Sequence, residues 1–155
     1  MKKIILLGTH LLCGVFGFAL GVYLLPILTA PDSPDAAMLE ESARSASFRA
    51  ELTRDLRGSD LLHWGEGTIS ITDQQIVHEG SLAPGPDYRL YLVPEFVEHE
   101  DEFNPLKDQS LQVGAVKTFS GFLLDIPEGV DVSQYNTVVV WCEAFGEFIT
   151  AGKYR

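Results

Sequence analysis

The sequence predicts an all-β domain, an antiparallel β-sandwich or small barrel, preceded by an N-terminal transmembrane helix and a short helical stalk. Three observations predict this order. An apolar run without charged residues covers Ile4 to Ala30, and a Pro-rich break with one helical pattern follows it. From Leu61 onward, short alternating segments are separated by Gly and Pro at intervals of about ten residues, as in sandwiches and barrels. The 155 residues, 46% of them hydrophobic, are enough for one ordinary domain with an appendage.

The apolar run predicts a membrane anchor at residues 1–31. It exceeds the roughly 20 residues that a membrane-spanning helix needs, and it is longer than the apolar region of a cleaved signal peptide. The residues before Pro31 match a small-x-small cleavage site poorly. Lys2 and Lys3 precede the run and Asp32 follows it, so the positive-inside rule predicts a cytoplasmic N-terminus. We therefore expect an uncleaved single-pass protein of the cell membrane with an extracytoplasmic or periplasmic domain.

Residues 32–60 are expected to form a stalk that is partly helical. Two prolines and two aspartates within residues 31–35 break the preceding helix. Asp35 is a favourable N-cap for a helix from about residue 36 to about residue 57, and Gly58 is a typical stop. The stalk is expected to act as a spacer between the bilayer and the domain.

Residues 61–155 predict the β domain, because their apolar residues alternate or occur in β-branched runs. The predicted strands cover, in chain order, residues 68–72, 76–77, 88–93, 111–119, 122–126, 137–145 and 145–150. A polar connection over residues 95–109 contains the acidic run Glu98–Glu102. This run lacks the ligand spacing and turn glycine of a calcium-binding EF-hand loop, so we expect a solvated, mobile loop rather than a calcium or zinc site.

The strand over residues 137–145 carries the only cysteine outside the N-terminal run. Its three consecutive valines indicate a buried strand, and Trp141 and Cys142, as neighbours on a strand, should point to opposite faces. Cys13 lies within the predicted membrane helix, so no disulfide can form within the extracytoplasmic part. An unpaired cysteine on the oxidising side of a membrane is expected to be liganded, reactive, paired with another molecule or deeply buried.

Charge and motifs exclude several classes of function. All 22 acidic residues follow Ala30, against 9 basic ones (11 minus Lys2 and Lys3), which gives a formal charge of −13. Such a balance repels nucleic acid, so no nucleic-acid partner is expected. Gly65-Glu66-Gly67 lacks the third glycine of a dinucleotide-binding motif, and no phosphate loop or nucleophile elbow occurs. These absences favour a non-enzymatic module over a stand-alone hydrolase or transferase.

Several motifs together resemble the DM13 domain. In chain order they are Gly67-Thr68, Gly85-Pro86-Asp87-Tyr88, Thr118-Phe119-Ser120-Gly121, Leu124-Asp125-Ile126-Pro127 and Val138-Val139-Val140-Trp141-Cys142-Glu143-Ala144-Phe145. The resemblance covers about residues 61–154, and the long acidic connection departs from it. It implies an all-β fold and a redox or electron-transfer role that involves a redox partner protein, with the cysteine of the Trp-Cys motif as the active group.

The residues around Cys142 leave two roles open for its thiol. Glu143 is adjacent, and no Lys or Arg lies within ten residues on either side, so the local charge opposes thiolate formation. Neither a Cys-x-x-Cys pair for dithiol exchange nor a Cys-x-x-Cys-His haem-attachment motif exists. Cys142 is therefore predicted to be either a redox residue that acts through a ligand, metal or partner, or a buried structural thiol.

Three further residues are candidates for binding a cofactor whose identity the sequence does not disclose. His63 is preferred to the other histidines because the resemblance places an aromatic residue or histidine before Gly67-Thr68. Asp87 has a simpler explanation as a turn residue, and Trp141 as a core residue. We expect a membrane-tethered redox accessory module that uses Cys142. The alternative is a non-catalytic ligand- or protein-binding sandwich in which Cys142 is structural.

Overall fold

Two four-stranded antiparallel sheets form the body of the protein in the computed structural model, which describes all residues, Met1–Arg155. The helices are α1 (Lys2–Thr29), α2 (Ala36–Ala43) and α3 (Glu100–Phe103), with short 3-10 helices at Asn104–Gln109 and Val132–Gln134. The strands are β1 (Phe48–Leu52), β2 (Gly65–Ile71), β3 (Gln75–Leu82), β4 (Tyr88–Val93), β5 (Leu111–Val116), β6 (Phe122–Asp125), β7 (Thr137–Cys142) and β8 (Glu147–Lys153). One sheet has the order β1-β2-β3-β6 and the other β5-β4-β7-β8. The predicted β-sandwich after an N-terminal helix is confirmed.

The N-terminal helix α1 is long and apolar enough to cross a membrane, and none of its residues is buried. A signal sequence near the N-terminus would meet the same minimum criteria of length and apolar composition. Asp35 caps the next helix as predicted, because its carboxylate accepts the N–H of Met38 at 2.8 Å.

The helix predicted over residues 36–57 is wrong in its second half. Helix α2 ends at Ala43, and Phe48–Leu52 form strand β1, which pairs antiparallel with β2 from Phe48↔Ile71 to Leu52↔Gly67. The apolar residues at positions 48, 50 and 52 alternate, so they lie on one face of a strand and enter the core. Helix α2 packs its buried Leu39 and Ala43 on β3 and β6. The segment predicted as a spacer therefore contributes a helix and a strand to the folded body.

The main core lies between the two sheets. It contains 18 buried residues, which include isoleucines of β2 and β3, leucines of β4 and Cys142 at the end of β7. Alternate residues of β7 point the other way, so Trp141 leaves this core and enters a second one. The prediction that Trp141 and Cys142 face opposite sides is confirmed.

The second core lies on the outer face of the β5-β4-β7-β8 sheet, under the acidic connection. Phe103 of α3 is 0% exposed and packs there with Trp141 and Phe148. The expectation of a solvated, mobile loop at Glu98–Glu102 is therefore wrong, because helix α3 begins at Glu100 within this run. Carboxylates of the acidic run bind other parts of the domain. The Glu100 carboxylate accepts the N–H of Phe148 at 3.2 Å. Arg57 pairs with two further carboxylates of the run, at 2.8 and 2.7 Å.

His78 of β3 is a fully buried imidazole. Its Nε2 donates to the carbonyl of Glu66 at 3.1 Å, its Nδ1 has no hydrogen-bond partner, and its ring lies 5.0 Å from that of Phe122. Burial lowers the pKa of His78, and the hydrogen bond to Glu66 offsets this only in part.

This buried histidine predicts an acid-sensitive fold. The unfolded chain takes up a proton on His78 below its ordinary pKa of 6.5, whereas the folded chain resists it. Because the unfolded state then binds more protons, the free energy of unfolding should fall as the pH drops below about 6.5, with a slope approaching about 1.4 kcal/mol per pH unit. Urea denaturation of the full chain in detergent between about pH 5 and pH 7 measures this slope. His78→Leu should reduce the pH dependence of the free energy of unfolding, and an unchanged slope in this variant would contradict the assignment. His99→Gln, at a partly exposed histidine, is the control and should leave the slope unchanged.

Candidate functional site

Cys142 ends the central strand β7 and points into the main core. It lies opposite Tyr88 of β4 and Glu147 of β8, and only 2% of its surface is exposed. Its Sγ–H donates to the carbonyl of Pro86 at 3.1 Å. The Gly85-Pro86-Asp87 turn therefore holds the thiol in place from across the sheet.

The surroundings of Cys142 favour a protonated thiol. Burial raises the pKa of the thiol, and the nearby carboxylates of Asp87 and Glu147 raise it further. The backbone N–H groups of Ala144 and Phe145 oppose this shift only in part. Cys142 is therefore not an activated nucleophile, which agrees with the acidic neighbourhood in the sequence.

A cavity of about 630 Å³ opens beside Cys142. Cys142 and His63 both line it, with Tyr88 and Phe145 as apolar walls, and residues of the C-terminal half of α1 close one side. Phe145 follows β7 in a turn rather than extending the strand as predicted, and its side chain is 55% exposed at this cavity. Two of the four candidate residues, Cys142 and His63, therefore line the same cavity.

His63 is oriented by a carboxylate. Its Nδ1 lies 3.1 Å from Oδ2 of Asp60, and its backbone N–H donates to Oδ1 of Asp60 at 2.8 Å. Because a carboxylate only accepts, Nδ1 is the donor in this contact, and in the neutral imidazole the lone pair is then on Nε2. Partial burial raises the pKa of Asp60, but its hydrogen bonds from Leu62 and His63 outweigh this and lower the pKa overall. A carboxylate behind a histidine is the arrangement that commonly orients metal-binding imidazoles.

Asp87 lies in the turn that holds Cys142 but is not among the residues that line the cavity. It has a positive φ of 51°, its carboxylate pairs with Arg89 at 2.6 Å, and its carbonyl accepts the N–H of Glu143 at 3.0 Å. Gly85, two residues earlier, lies against the ring of Tyr88, and any other residue there would place its Cβ in collision with that ring. These contacts account for Asp87 as a turn residue.

Trp141 lies on the opposite face of the sheet from the cavity. It is 1% exposed, and its ring centroid is 4.9 Å from that of Phe103. The side chain of Trp141 therefore packs in the second core, away from Cys142 and His63.

The residues around Cys142 do not complete a metal site by themselves. No group of three or more His, Cys, Asp or Glu side chains is arranged to hold a metal ion. Cys142, His63 and Glu147 all line the cavity without forming such a group. A structural metal site usually takes four ligands from the protein and a catalytic one three. A group that brings its other ligands with it would fit the donor set better than a bare ion.

A second polar cluster was not foreseen from the sequence. Tyr91 donates its O–H to the carboxylate of Glu143, which also pairs with Lys107 at 2.7 Å. In the sequence, Glu143 stands out only by its charge beside Cys142. The sole sequence signal for the cluster was the alternation of strand 88–93, which places Tyr91 on the face opposite Leu90 and Leu92.

Fold and site together define a small β-sandwich with one core-facing thiol at the wall of a cavity. A family model described as electron transfer DM13 matches residues 57–154. The chain belongs to this family, and the resemblance noted in the sequence is confirmed. No curated protein and no solved structure matches the chain significantly.

Proposed function

We propose that the chain is a membrane-tethered, extracytoplasmic electron-transfer accessory module that uses Cys142. One observation supports this above others: Cys142 and His63 line the same cavity in a domain of the electron transfer DM13 family. Residues 16–23 of α1 form one wall of this cavity and would leave it when α1 spans the bilayer. The proposed site is therefore the domain side alone, where Cys142 and His63 would face a bound redox group or the reactive part of a redox partner protein.

Each residue of the cavity has a distinct task in this proposal. Cys142 would supply the sulfur, and its binding to a metal centre would require loss of the thiol proton. Asp60 keeps the Nε2 of His63 available. Tyr88 and Phe145 limit access of water to the sulfur. Trp141 and Asp87, the other candidate residues, act in this proposal only by shaping β7 and the turn that contacts Cys142.

The tether is proposed from α1 and its short link to the domain. Helix α1 ends at Thr29, and α2, which packs on the sandwich, begins at Ala36. Six residues separate the two helices and include two prolines, so the domain would stay close to the point where α1 leaves the bilayer. Retention of the chain in membranes after alkaline carbonate washing, with protease cleavage of the domain from the outer side only, is expected. Release by carbonate would contradict the tether.

Absorption spectra with metal analysis test the proposed role of Cys142. The full-length protein, purified in detergent from its own membranes, should carry a chromophore or metal that responds to oxidation and reduction. Cys142→Ser should remove or shift this signal, His63→Ala should weaken it, and Cys13→Ser, at the helix cysteine, should leave it unchanged. Identical spectra and metal contents in all four proteins would contradict the proposal.

The alternative is a non-catalytic ligand- or protein-binding sandwich with Cys142 as a structural thiol. The hydrogen bond to Pro86 and the near-complete burial of Cys142 favour it, since both are what a core thiol requires. In that case the protein would be colourless and metal-free, and Cys142→Ser would alter only its stability, by about 1 kcal/mol.

A further inference from the structure

Tyr91 of β4 forms a hydrogen-bonded cluster on the face of the sheet opposite Cys142. Its side chain is nearly buried, at 5% exposure, and its hydroxyl donates to the carboxylate of Glu143. The side-chain amide of Gln112 lies 2.9 Å from the same hydroxyl. A phenol has one proton, and the carboxylate is the stronger acceptor of the two.

Lys107 completes the cluster and links it to solvent. Its Nζ lies 2.7 Å from the second oxygen of Glu143, and about a quarter of the Glu143 side chain is exposed. Lys107 also lies over two aromatic rings, 5.7 Å from the centroid of Tyr91 and 5.3 Å from that of Trp141. The Glu143 carboxylate therefore lies at the boundary between the second core and water.

Three aromatic rings are in contact behind this cluster. Phe103 lies between the other two, with ring centroids 5.2 Å from Tyr91 and 4.9 Å from Trp141. When an aromatic side chain loses an electron, its N–H or O–H proton becomes strongly acidic, and Trp141 and Tyr91 differ in whether a base can accept that proton. The Nε1 of Trp141 is buried without a partner, and the Lys107 cation over its ring opposes a positive charge there. Tyr91 alone has a base in contact with its acidic proton.

The geometry points to Tyr91 as a one-electron redox site with Glu143 as its proton acceptor. A high-potential one-electron oxidant takes one electron from Tyr91, the phenol O–H bond breaks, and the proton passes to the Glu143 carboxylate. The products are a neutral tyrosyl radical, a neutral Glu143 carboxylic acid and the reduced oxidant. When a one-electron donor reduces the radical, the proton returns from Glu143. This activity goes beyond the proposed function and requires neither Cys142 nor His63.

The charges around the cluster keep both partners in the states that the reaction needs. Burial and the hydrogen bond to Glu143 raise the pKa of Tyr91, so the phenol keeps its proton until it is oxidised. Burial raises the pKa of Glu143, but Lys107 and Tyr91 outweigh this and lower it, so the carboxylate is ionised at neutral pH. Arg89 and Asp87 are the other charged groups that act on Tyr91, and their effects on its pKa are opposite in sign.

Flash oxidation of the full-length protein in detergent tests the proposal. The probe is a ruthenium(III) polypyridyl complex generated in solution by light, and radicals are detected by EPR after freeze-quenching. The wild type should give a neutral tyrosyl radical. Tyr91→Phe should remove the component with the hyperfine pattern of Tyr91. Tyr154→Phe should keep this component, because Tyr154, at 8% exposure, donates only to the carbonyl of Val132. A tyrosyl signal of unchanged yield and hyperfine pattern in Tyr91→Phe would overturn the assignment.

Glu143→Gln provides a second and independent readout. It preserves the shape of the side chain and removes the base, so the rate of radical formation at neutral pH should fall by about a hundredfold. A wild-type rate in Glu143→Gln would overturn the role of Glu143 even if Tyr91→Phe failed to fold. Because neither readout involves Cys142 or a bound group, a negative result here is distinguishable from failure of the proposed function.

Discussion

Replacing Phe103 by alanine is expected to lower the free energy of unfolding by about 3–5 kcal/mol. Phe103 is completely buried and lies between the rings of Tyr91 and Trp141, so its removal leaves a cavity in the centre of the second core. The surrounding strands are fixed by sheet hydrogen bonds and can close such a cavity only in part. Urea denaturation of the full chain in detergent, followed by near-UV circular dichroism, measures the loss.

Phe96→Ala is the matched control for Phe103→Ala. Phe96 belongs to the same connection between β4 and β5, but 43% of its surface is exposed. Its replacement should change the free energy of unfolding by no more than about 0.5 kcal/mol. Equal, small effects of the two substitutions would mean that the connection is a loose loop and that the second core does not exist as described.

A fragment that begins at residue 61, the domain boundary predicted from the sequence, is expected not to fold. It lacks β1, whose Ala50 and Leu52 are buried in the main core and whose backbone pairs with β2 over five residues. Removing β1 would expose that core and leave β2 as a bare edge strand, which promotes aggregation. The loss includes the contacts of Arg49, which donates to Ser70 and to the carbonyl of Ala43 at 2.8 and 3.0 Å.

A fragment over residues 34–155 is the matched comparison, because it retains α2 and β1 while omitting α1. It should give a folded β-type circular dichroism spectrum and dispersed amide resonances. If residues 61–155 alone gave the same dispersion and thermal midpoint, the boundary at residue 61 would stand, and β1 would be dispensable to the domain.

The sandwich was predictable because its strands carry their burial pattern in the sequence. Alternation in strands 68–72 and 122–126 and the valine run of β7 leave few other ways to bury apolar surface. Strand geometry alone placed Trp141 and Cys142 on opposite faces, and the structure confirms this. These inferences depended on neighbours in the chain, which a sequence displays directly.

The errors arose where tertiary contacts decide the conformation. Phe48 and Leu52 fit a helical stripe and a strand equally well, and pairing with β2 selects the strand. The acidic run appeared solvated because five polar or charged residues dominate it, while Phe103, immediately after them, anchors the segment in the second core. Short elements such as β1 and α3 are stabilised mainly by the surface on which they pack, so their own residues predict their secondary structure only weakly.

The candidate site was predictable only in part. Cys142 stands out by being the single cysteine of the domain, and the family resemblance drew attention to His63, which lines the same cavity. Tyr91, Glu143 and Lys107 come from β4, the turn after β7 and the 3-10 helix before β5. Their meeting depends on β4 and β7 being neighbours in the sheet, and local patterns do not determine strand order.

A potentiometric titration of the full-length protein from its own membranes tests the central claim most directly. Optical absorption is recorded as the potential is stepped, for the wild type, Cys142→Ser and Cys13→Ser, after urea denaturation has shown that all three are folded. Electron transfer through the Cys142 cavity predicts one reversible transition in the wild type, retained in Cys13→Ser and lost or shifted in Cys142→Ser. A transition that is the same in all three proteins, or absent from the folded wild type, would contradict the assignment of Cys142 as the redox residue.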